Sequence, residues 1–403
     1  MEAIPFARPF IGREEEEAVL AVLRSGWLTT GKETLAFEEE FGQFLKGSNE
    51  PPYCMAVNSA TSALHLALEA LGIKQGDLVL VPSMTFTATA EVVRYLGAEV
   101  VFVDSCRDGY LMDPSAMEQT LRKLEREQPG RAAAVMPVHY GGLPCDMDAI
   151  LALAKKYGLK VIEDAAHSFP SFVADDKDPS KGSWAGTMGD AGVFSFYATK
   201  TITTGEGGMV VTRDRAAADR IKIMRSHGID RTVWNRYTDT RASWYYEVVE
   251  PGFKYNIPDI LSALGRVQLR RAGELLSMRE ELVRFYDEAF TGDEHFTLPP
   301  TGKGDARHLY PLRLNLDRLS IDRNEFAAKI QEQGIGISVH FIPLHIMPYY
   351  KKRYSLEAQD FPEALDAYNR TISLPLWPGM TGAQIKRVTT VVKSLASQYN
   401  KSK

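Results

Sequence analysis

Phe194-Ser195-Phe196-Tyr197-Ala198-Thr199-Lys200, followed by Thr203-Thr204-Gly205-Glu206-Gly207-Gly208, sets a lysine between an apolar, strand-like run and a glycine-rich turn. Upstream, Val161-Ile162-Glu163-Asp164-Ala165-Ala166-His167 ends a second apolar run in a carboxylate. That is the carboxyl end of a strand, where open α/β sheets bind their ligands. A lysine amine near buried surface loses proton affinity by desolvation, and an acid at the edge of a buried sheet needs a cationic partner. Together they read as a Schiff-base lysine and an aspartate that pairs with a pyridine nitrogen, the chemistry of pyridoxal 5'-phosphate (PLP). The ordinary alternatives are a surface lysine with a pKa of about 10.4 and, for Asp164, a structural salt bridge.

Outward from these runs the chain alternates short apolar strands with amphipathic helices. Strands are expected at Tyr53–Val57, Leu78–Val81, Val100–Val103, Ala132–Val138, Lys160–Glu163, Ala191–Phe196 and Gly208–Thr212. Helices are expected at Ala60–Leu71, Ala88–Leu96, Pro114–Arg126 and Met147–Tyr157, after two opening helices at Glu14–Ser25 and Glu33–Leu45. Continuous apolar strands are buried on both faces, so the rhythm predicts a mostly parallel sheet covered by helices. A long helix from Ile257 to about Phe290 is expected to bridge to a smaller α+β domain. There the order is strand His308–Leu316, helix Arg323–Gln333, strand Ile337–Phe341 and helix Ala383–Ser397. The polar segment Asp175–Ser183 reads as a solvated loop.

With 403 residues, one large and one smaller domain are the default. A hydrophobic fraction of 44% and a charged fraction of 25% are those of an ordinary globular protein. A net charge of −5 argues against nucleic acid or an anionic membrane as main partner, since either calls for a broad basic face. Cys54, Cys106 and Cys145 are three in number and widely spaced, which gives neither a disulfide framework nor a metal site and fits a reducing compartment. The chain opens without a secretory leader and holds no membrane-length apolar run, so a cytoplasmic protein is expected.

Further candidates follow the other strands. Asn58-Ser59-Ala60-Thr61-Ser62 lies at a strand-to-helix handover, where backbone N–H groups and the Thr61 hydroxyl can take a phosphate; Ser59 is equally an ordinary N-cap. Phe86, after Pro82-Ser83-Met84-Thr85, can stack on a flat ring or pack in the core. Ser195 can reach a phosphate, and His167 reads either as a cofactor contact or as a satisfied polar histidine. Arg225 reads as a ligand for a carboxylate or diphosphate, or as a surface arginine.

These segments resemble the DegT/DnrJ-type nucleotide-sugar aminotransferases, a fold-type I family of PLP enzymes. The likeness runs from Ser25-Gly26-Trp27-Leu28-Thr29-Thr30-Gly31 through Pro137-Val138-His139-Tyr140-Gly141-Gly142 and Arg225-Ser226-His227-Gly228 to Ser373-Leu374-Pro375-Leu376. The resemblance implies a large PLP-binding α/β/α domain over residues 1–270, with a mostly parallel seven-stranded sheet, and a smaller C-terminal α+β domain over 271–403. It implies Lys200 as the Schiff-base lysine and Asp164 as the pyridinium partner. Phe86 becomes the stacking ring, His167 a cofactor contact, and Ala60, Thr61 and Ser195 phosphate ligands. Asn256, in Gly252-Phe253-Lys254-Tyr255-Asn256, resembles an asparagine that reaches the phosphate of the neighbouring subunit, which implies a homodimer with shared sites; as residues, it is equally a turn before the following helix. Trp27, Thr29, Arg225, His340, His345 and Tyr350 become candidate substrate residues. The implied reaction moves an amino group, by way of pyridoxamine phosphate, from an amino acid such as glutamate to the ketone of a nucleotide-linked keto-hexose. A dehydratase branch of the family has histidine where this chain keeps Lys200, which favours transamination. A lyase or desulfurase, or a PLP-binding regulatory protein without turnover, are the other readings.

Overall fold

The computed structural model describes residues 2–47, 50–175, 178, 181–230 and 245–401. The βα rhythm folds as β1 (Tyr53–Val57), β2 (Leu78–Pro82), β3 (Glu99–Val103), β4 (Ala132–Val135) and β5 (Lys160–Asp164). A short antiparallel hairpin, β6 (Phe172–Ala174) with β7 (Gly182–Trp184), precedes β8 (Ala191–Ser195) and β9 (Gly208–Thr212). The main sheet has the order β1-β9-β8-β5-β4-β2-β3. Only β9 runs against its neighbours, being antiparallel to both β1 and β8. The expected loop at 175–183 thus contributes Gly182 and Ser183 to β7, while its residues 176, 177, 179 and 180 lie outside the described residues.

Several of the helices flanking this sheet start at a side-chain cap. After α1 (Arg13–Ser25) and α2 (Lys32–Phe44) come α3 (Ala60–Ala70), α4 (Thr87–Tyr95), α5 (Pro114–Glu127), α6 (Met147–Tyr157) and α7 (Arg215–Met224). Ser59 caps α3 by accepting the Ser62 N–H at 3.1 Å, and Asp146 caps α6 by accepting that of Ala149 at 3.1 Å. Helix α6 then ends at Gly158 in the left-handed conformation, φ 69°. Asp259 takes the N–H groups of Gly31 (2.7 Å) and Thr34 (3.0 Å), so one carboxylate caps α2 across more than two hundred residues of sequence.

The long helix expected from Ile257 is two helices, α8 (Asp259–Arg270) and α9 (Ala272–Phe290), broken at Arg271 with φ −94° and ψ 1°. The second core follows, with β10 (Phe296–Thr297), β11 (Tyr310–Leu314), α10 (Arg323–Glu332), α11 (Pro348–Tyr354), α12 (Pro362–Arg370), β12 (Thr371–Leu374) and α13 (Gly382–Gln398). Strands β10, β11 and β12 form an antiparallel sheet whose apolar face packs Leu312, Leu314 and Ile372 against Tyr286, Phe326 and Val388. The expected strand Ile337–Phe341 does not form. Its one sheet contact is the bridge of Ser338 to Ser373, after which the chain leaves the sheet and lines a cavity with His340 and Phe341. The N-terminal arm crosses to this second core, where Ile4 is buried and accepts the Gly336 N–H at 2.7 Å. Among the described residues, no helix is long and apolar enough to cross a membrane.

Candidate active site

A cavity of about 550 Å³ lies at the carboxyl ends of β2, β5 and β8. Its floor is set by two strand ends. Beyond β8 the chain turns at once, Lys200 N–H bonding to the Tyr197 carbonyl at 2.9 Å and Thr204 N–H to that of Phe196 at 3.0 Å. This loop delivers the Lys200 amine to the cavity. Burial pulls its pKa down to about 8, against the opposing pull of Asp164, with the positive charge of Arg279 lowering it further. Asp164 ends β5 and is buried. Burial raises its pKa, while hydrogen bonds from Thr89 (2.8 Å) and the Ala166 N–H (3.1 Å), and the charge of Lys200, act the other way.

The preceding residue, Glu163, points to the opposite face of β5, as strand alternation requires. It accepts the N–H groups of Gly186 (2.7 Å), Met188 (2.6 Å) and Gly189 (2.6 Å) and pairs with His139 Nε2 at 2.9 Å. The Cys145 N–H donates to His139 Nδ1 at 3.1 Å, so Nε2 carries the proton that goes to Glu163.

One end of the cavity is an anion cradle. Ala60 and Thr61 line it at the first turn of α3, where a helix leaves N–H groups without internal partners and its dipole favours negative charge. Gly208 lets that helix start close to the sheet, since a Cβ there would lie 2.6 Å from the Ser59 backbone. Ser195 adds a hydroxyl from the end of β8. Phe86 stands over the opening, 57% exposed. Chain beyond α9 supplies the opposite wall. His308, Ser338, His340 and Phe341 line it, with His167 between wall and floor, its ring 4.5 Å from that of His308 and stacked on Phe341 at 5.6 Å. Burial holds His167 and His308 well below the ordinary histidine pKa and His340 down at about 4, so all three are neutral hydrogen-bonding groups at neutral pH.

The structure therefore gathers Lys200, Asp164, Ala60, Thr61, Phe86, His167, Ser195 and His340 around one cavity. Three expected substrate residues are corrected. The Arg225 guanidinium is buried against Glu38 and the Ala56 carbonyl, which consume its charge inside the fold. His345 is fully buried, Nδ1 accepting from the Ser83 hydroxyl and Nε2 donating to the Ala358 carbonyl at 3.1 Å. Tyr350 packs edge-on against Phe102 at 5.4 Å in the sheet's core. Trp27, Thr29 and Asn256 cluster away from their own chain's cavity: Asn256 Nδ2 donates to Thr30 Oγ1 at 2.7 Å, and the Thr29 carbonyl accepts from the Asp259 N–H at 3.3 Å. Residues missed in the sequence include Thr85, Thr89 and His308. Thr85 and Thr89 carried a signal, two hydroxyls one helical turn apart beside Phe86; His308 merely preceded an apolar run.

A cavity at the strand ends with a desolvated lysine, a buried aspartate and an anion cradle defines a fold-type I PLP-enzyme architecture. The chain belongs to the DegT/DnrJ/EryC1/StrS aminotransferase family, which matches residues 9–393. It is 41% identical over 396 residues to the spore coat polysaccharide biosynthesis protein SpsC of Bacillus subtilis, covering 97% of each chain. Spr1654 from Streptococcus pneumoniae in its PMP form superposes with a TM-score of 0.86 at 28% identity, over 98% of this chain and 99% of the other, and its PLP form has also been solved. PseC of Helicobacter pylori, an aminotransferase of pseudoaminic acid biosynthesis, gives 0.86 at 28% identity, over 99% and 100%.

Proposed function

We propose that this protein is a PLP-dependent aminotransferase that moves an amino group from an amino acid, L-glutamate, to the ketone of a nucleotide-linked 3- or 4-keto hexose, serving amino-sugar and surface-glycan biosynthesis. The observation that carries the reading is the placement of the Lys200 amine and the Asp164 carboxylate on one cavity beside the α3 cradle. The residues fit the cofactor: a phosphate suits the amides of Ala60 and Thr61 and the Ser195 hydroxyl, a flat ring suits the face of Phe86, and a protonated ring nitrogen suits Asp164. When bound, the cofactor takes the amino group from the donor and withdraws electrons from the donor α-carbon.

The protein's own part is proton traffic and positioning. Lys200 would tether the cofactor and, when free of that tether, would accept at Nζ the proton that leaves the donor α-carbon and give it up again as a general acid. Its lowered proton affinity keeps part of the amine free of a proton near neutrality. Asp164 holds a negative charge opposite the ring nitrogen. Donor loses and sugar gains one amino group, so 2-oxoglutarate and an amino sugar leave with no net oxidation. Neutral His308 and His340 offer hydrogen bonds to an uncharged sugar without competing for its proton. In the same reading the enzyme is a cytoplasmic homodimer, with Asn256 serving the phosphate of the second copy; its place outside its own chain's cavity supports this.

The test is the reverse half-reaction. Offered 2-oxoglutarate and a panel of nucleotide-linked 3- and 4-amino hexoses, the holoprotein is expected to release glutamate with one of them. Failure across the panel, with absorbance unchanged on adding glutamate, overturns the assignment.

A further inference from the structure

Among the described residues, Asp164 is the only buried carboxylate that lines the cavity, and its two oxygens have different donors. Oδ1 accepts the Ala166 N–H at 3.1 Å; Oδ2 accepts the Thr89 hydroxyl at 2.8 Å. An ionised carboxylate has no proton to give, so Thr89 must be the donor and its single proton is spent there. Thr85 Oγ1 lies 2.8 Å from Thr89 Oγ1. With the Thr89 proton already committed, the hydrogen between the two hydroxyls comes from Thr85. Thr85 and Thr89 are 1% and 0% exposed, so bulk water does not replace either bond. The hydroxyls thus form a chain polarised in one direction, Thr85 to Thr89 to Asp164. Chained donors in a low-dielectric setting strengthen one another.

We propose that Thr89, backed by Thr85, is a positioning residue for the cofactor-pairing aspartate: the hydroxyl chain keeps Asp164 ionised and aims its free lone pairs at the ring nitrogen. Burial alone drives Asp164 toward its neutral form, and a neutral acid would not hold a proton on the ring. The titratable groups facing Asp164 are Lys200 beyond β8 and His139 beyond β4, and each favours its ionised form when charged. Lys200 would commit its nitrogen to the cofactor when tethered, and both ring nitrogens of His139 are taken by the Cys145 N–H and Glu163, so the side-chain bond to the carboxylate itself is that of Thr89. Helix α4 contributes no charged group to this contact, only the threonine hydroxyl. The inference rests on the cofactor reading above and adds residues to it.

Carboxyl carbon NMR of the apoprotein follows Asp164 directly, its signal assigned by its loss in Asp164→Asn. Thr89→Val keeps shape and removes the donor, and its Asp164 midpoint is expected to rise by about one pH unit. Thr89→Ser is expected to restore it, and Thr85→Val to give a smaller shift of the same sign. In the holoprotein, Thr89→Val is expected to bind PLP roughly tenfold more weakly, the loss of one charge-assisted hydrogen bond. Its ¹⁵N-labelled ring nitrogen should move toward the unprotonated shift. Thr89→Ala is measured alongside in case buried valine is rejected. An Asp164 midpoint unmoved in both Thr89→Val and Thr89→Ala overturns the inference. The apoprotein titration involves neither donor nor sugar, so a wrong substrate assignment would leave it untouched.

Discussion

Asp164 ends β5 and Lys200 sits in the hydrogen-bonded turn that follows β8, whereas His308, His340 and Phe341 reach the same cavity from irregular chain far in sequence from the seven-stranded sheet's strand ends. The first pair is ionisable and mutually attractive; the histidines opposite are held neutral by burial. A sheet fixes its strand ends through ladders on both sides, so it can hold a charge where water is scarce. An irregular segment has no such ladder, and here it presents neutral donors and acceptors. Under the proposed function, bond-making falls to the floor of the cavity and recognition to the wall opposite.

Substitution at Lys200 tests the division hardest. Lys200→Ala is expected to lose about a thousandfold or more in turnover, the scale of a missing general base, and borohydride should no longer fix the cofactor to the chain. Retained turnover would break the contrast. Asp164→Asn keeps the shape and removes the charge, and transamination is expected to fall about a hundredfold, with the donor half-reaction slowed as much as the sugar half-reaction.

The pH dependence of cofactor capture sharpens the same point. Lys200 must be unprotonated to condense with PLP, and its pKa is about 8, so the apoprotein's rate of condensation should rise roughly tenfold between about pH 7 and 9 and then level off. A rate still climbing steeply above pH 10 would mean an ordinary lysine. The sign for stability follows: this lysine is charged less readily folded than unfolded, so apoprotein stability should increase as pH rises from about 8 toward the unfolded value near 10.4.

On the opposite wall, His340→Phe removes a polar edge without opening space. About a tenfold rise in KM for the sugar is expected, with glutamate turnover little changed; an equal effect on both halves would place His340 with the floor. Arg225→Met should leave the chemistry alone. It strands Glu38 without its buried partner, and thermal unfolding should show a loss of about 3 kcal/mol.

The legible part of the molecule is the part built from local rules. The βα rhythm, the cap at Ser59 and the apolar runs ending at Asp164 and before Lys200 each follow from neighbours in sequence. Ile337–Phe341 looked like a strand because apolar residues alternate, but only Ser338 finds a sheet partner. Arg225, His345 and Tyr350 sit near distinctive motifs, yet their partners Glu38, Ser83 and Phe102 come from distant chain. Nothing local announces whether a polar group will face a cavity or be satisfied inside the fold. The break at Arg271 was equally hidden, since helical periodicity continues across it.

Consider, finally, what Glu163 does by being adjacent to Asp164. Through the amides of residues 186, 188 and 189 it grips the turn that launches β8, and β8 carries Ser195 and, five residues further on, Lys200. Two neighbouring acids on one strand therefore give the reactive amine and its counter-charge a common origin of coordinates. When the sheet breathes, both should travel together, and their separation should vary less than the distance from either one to the opposite wall.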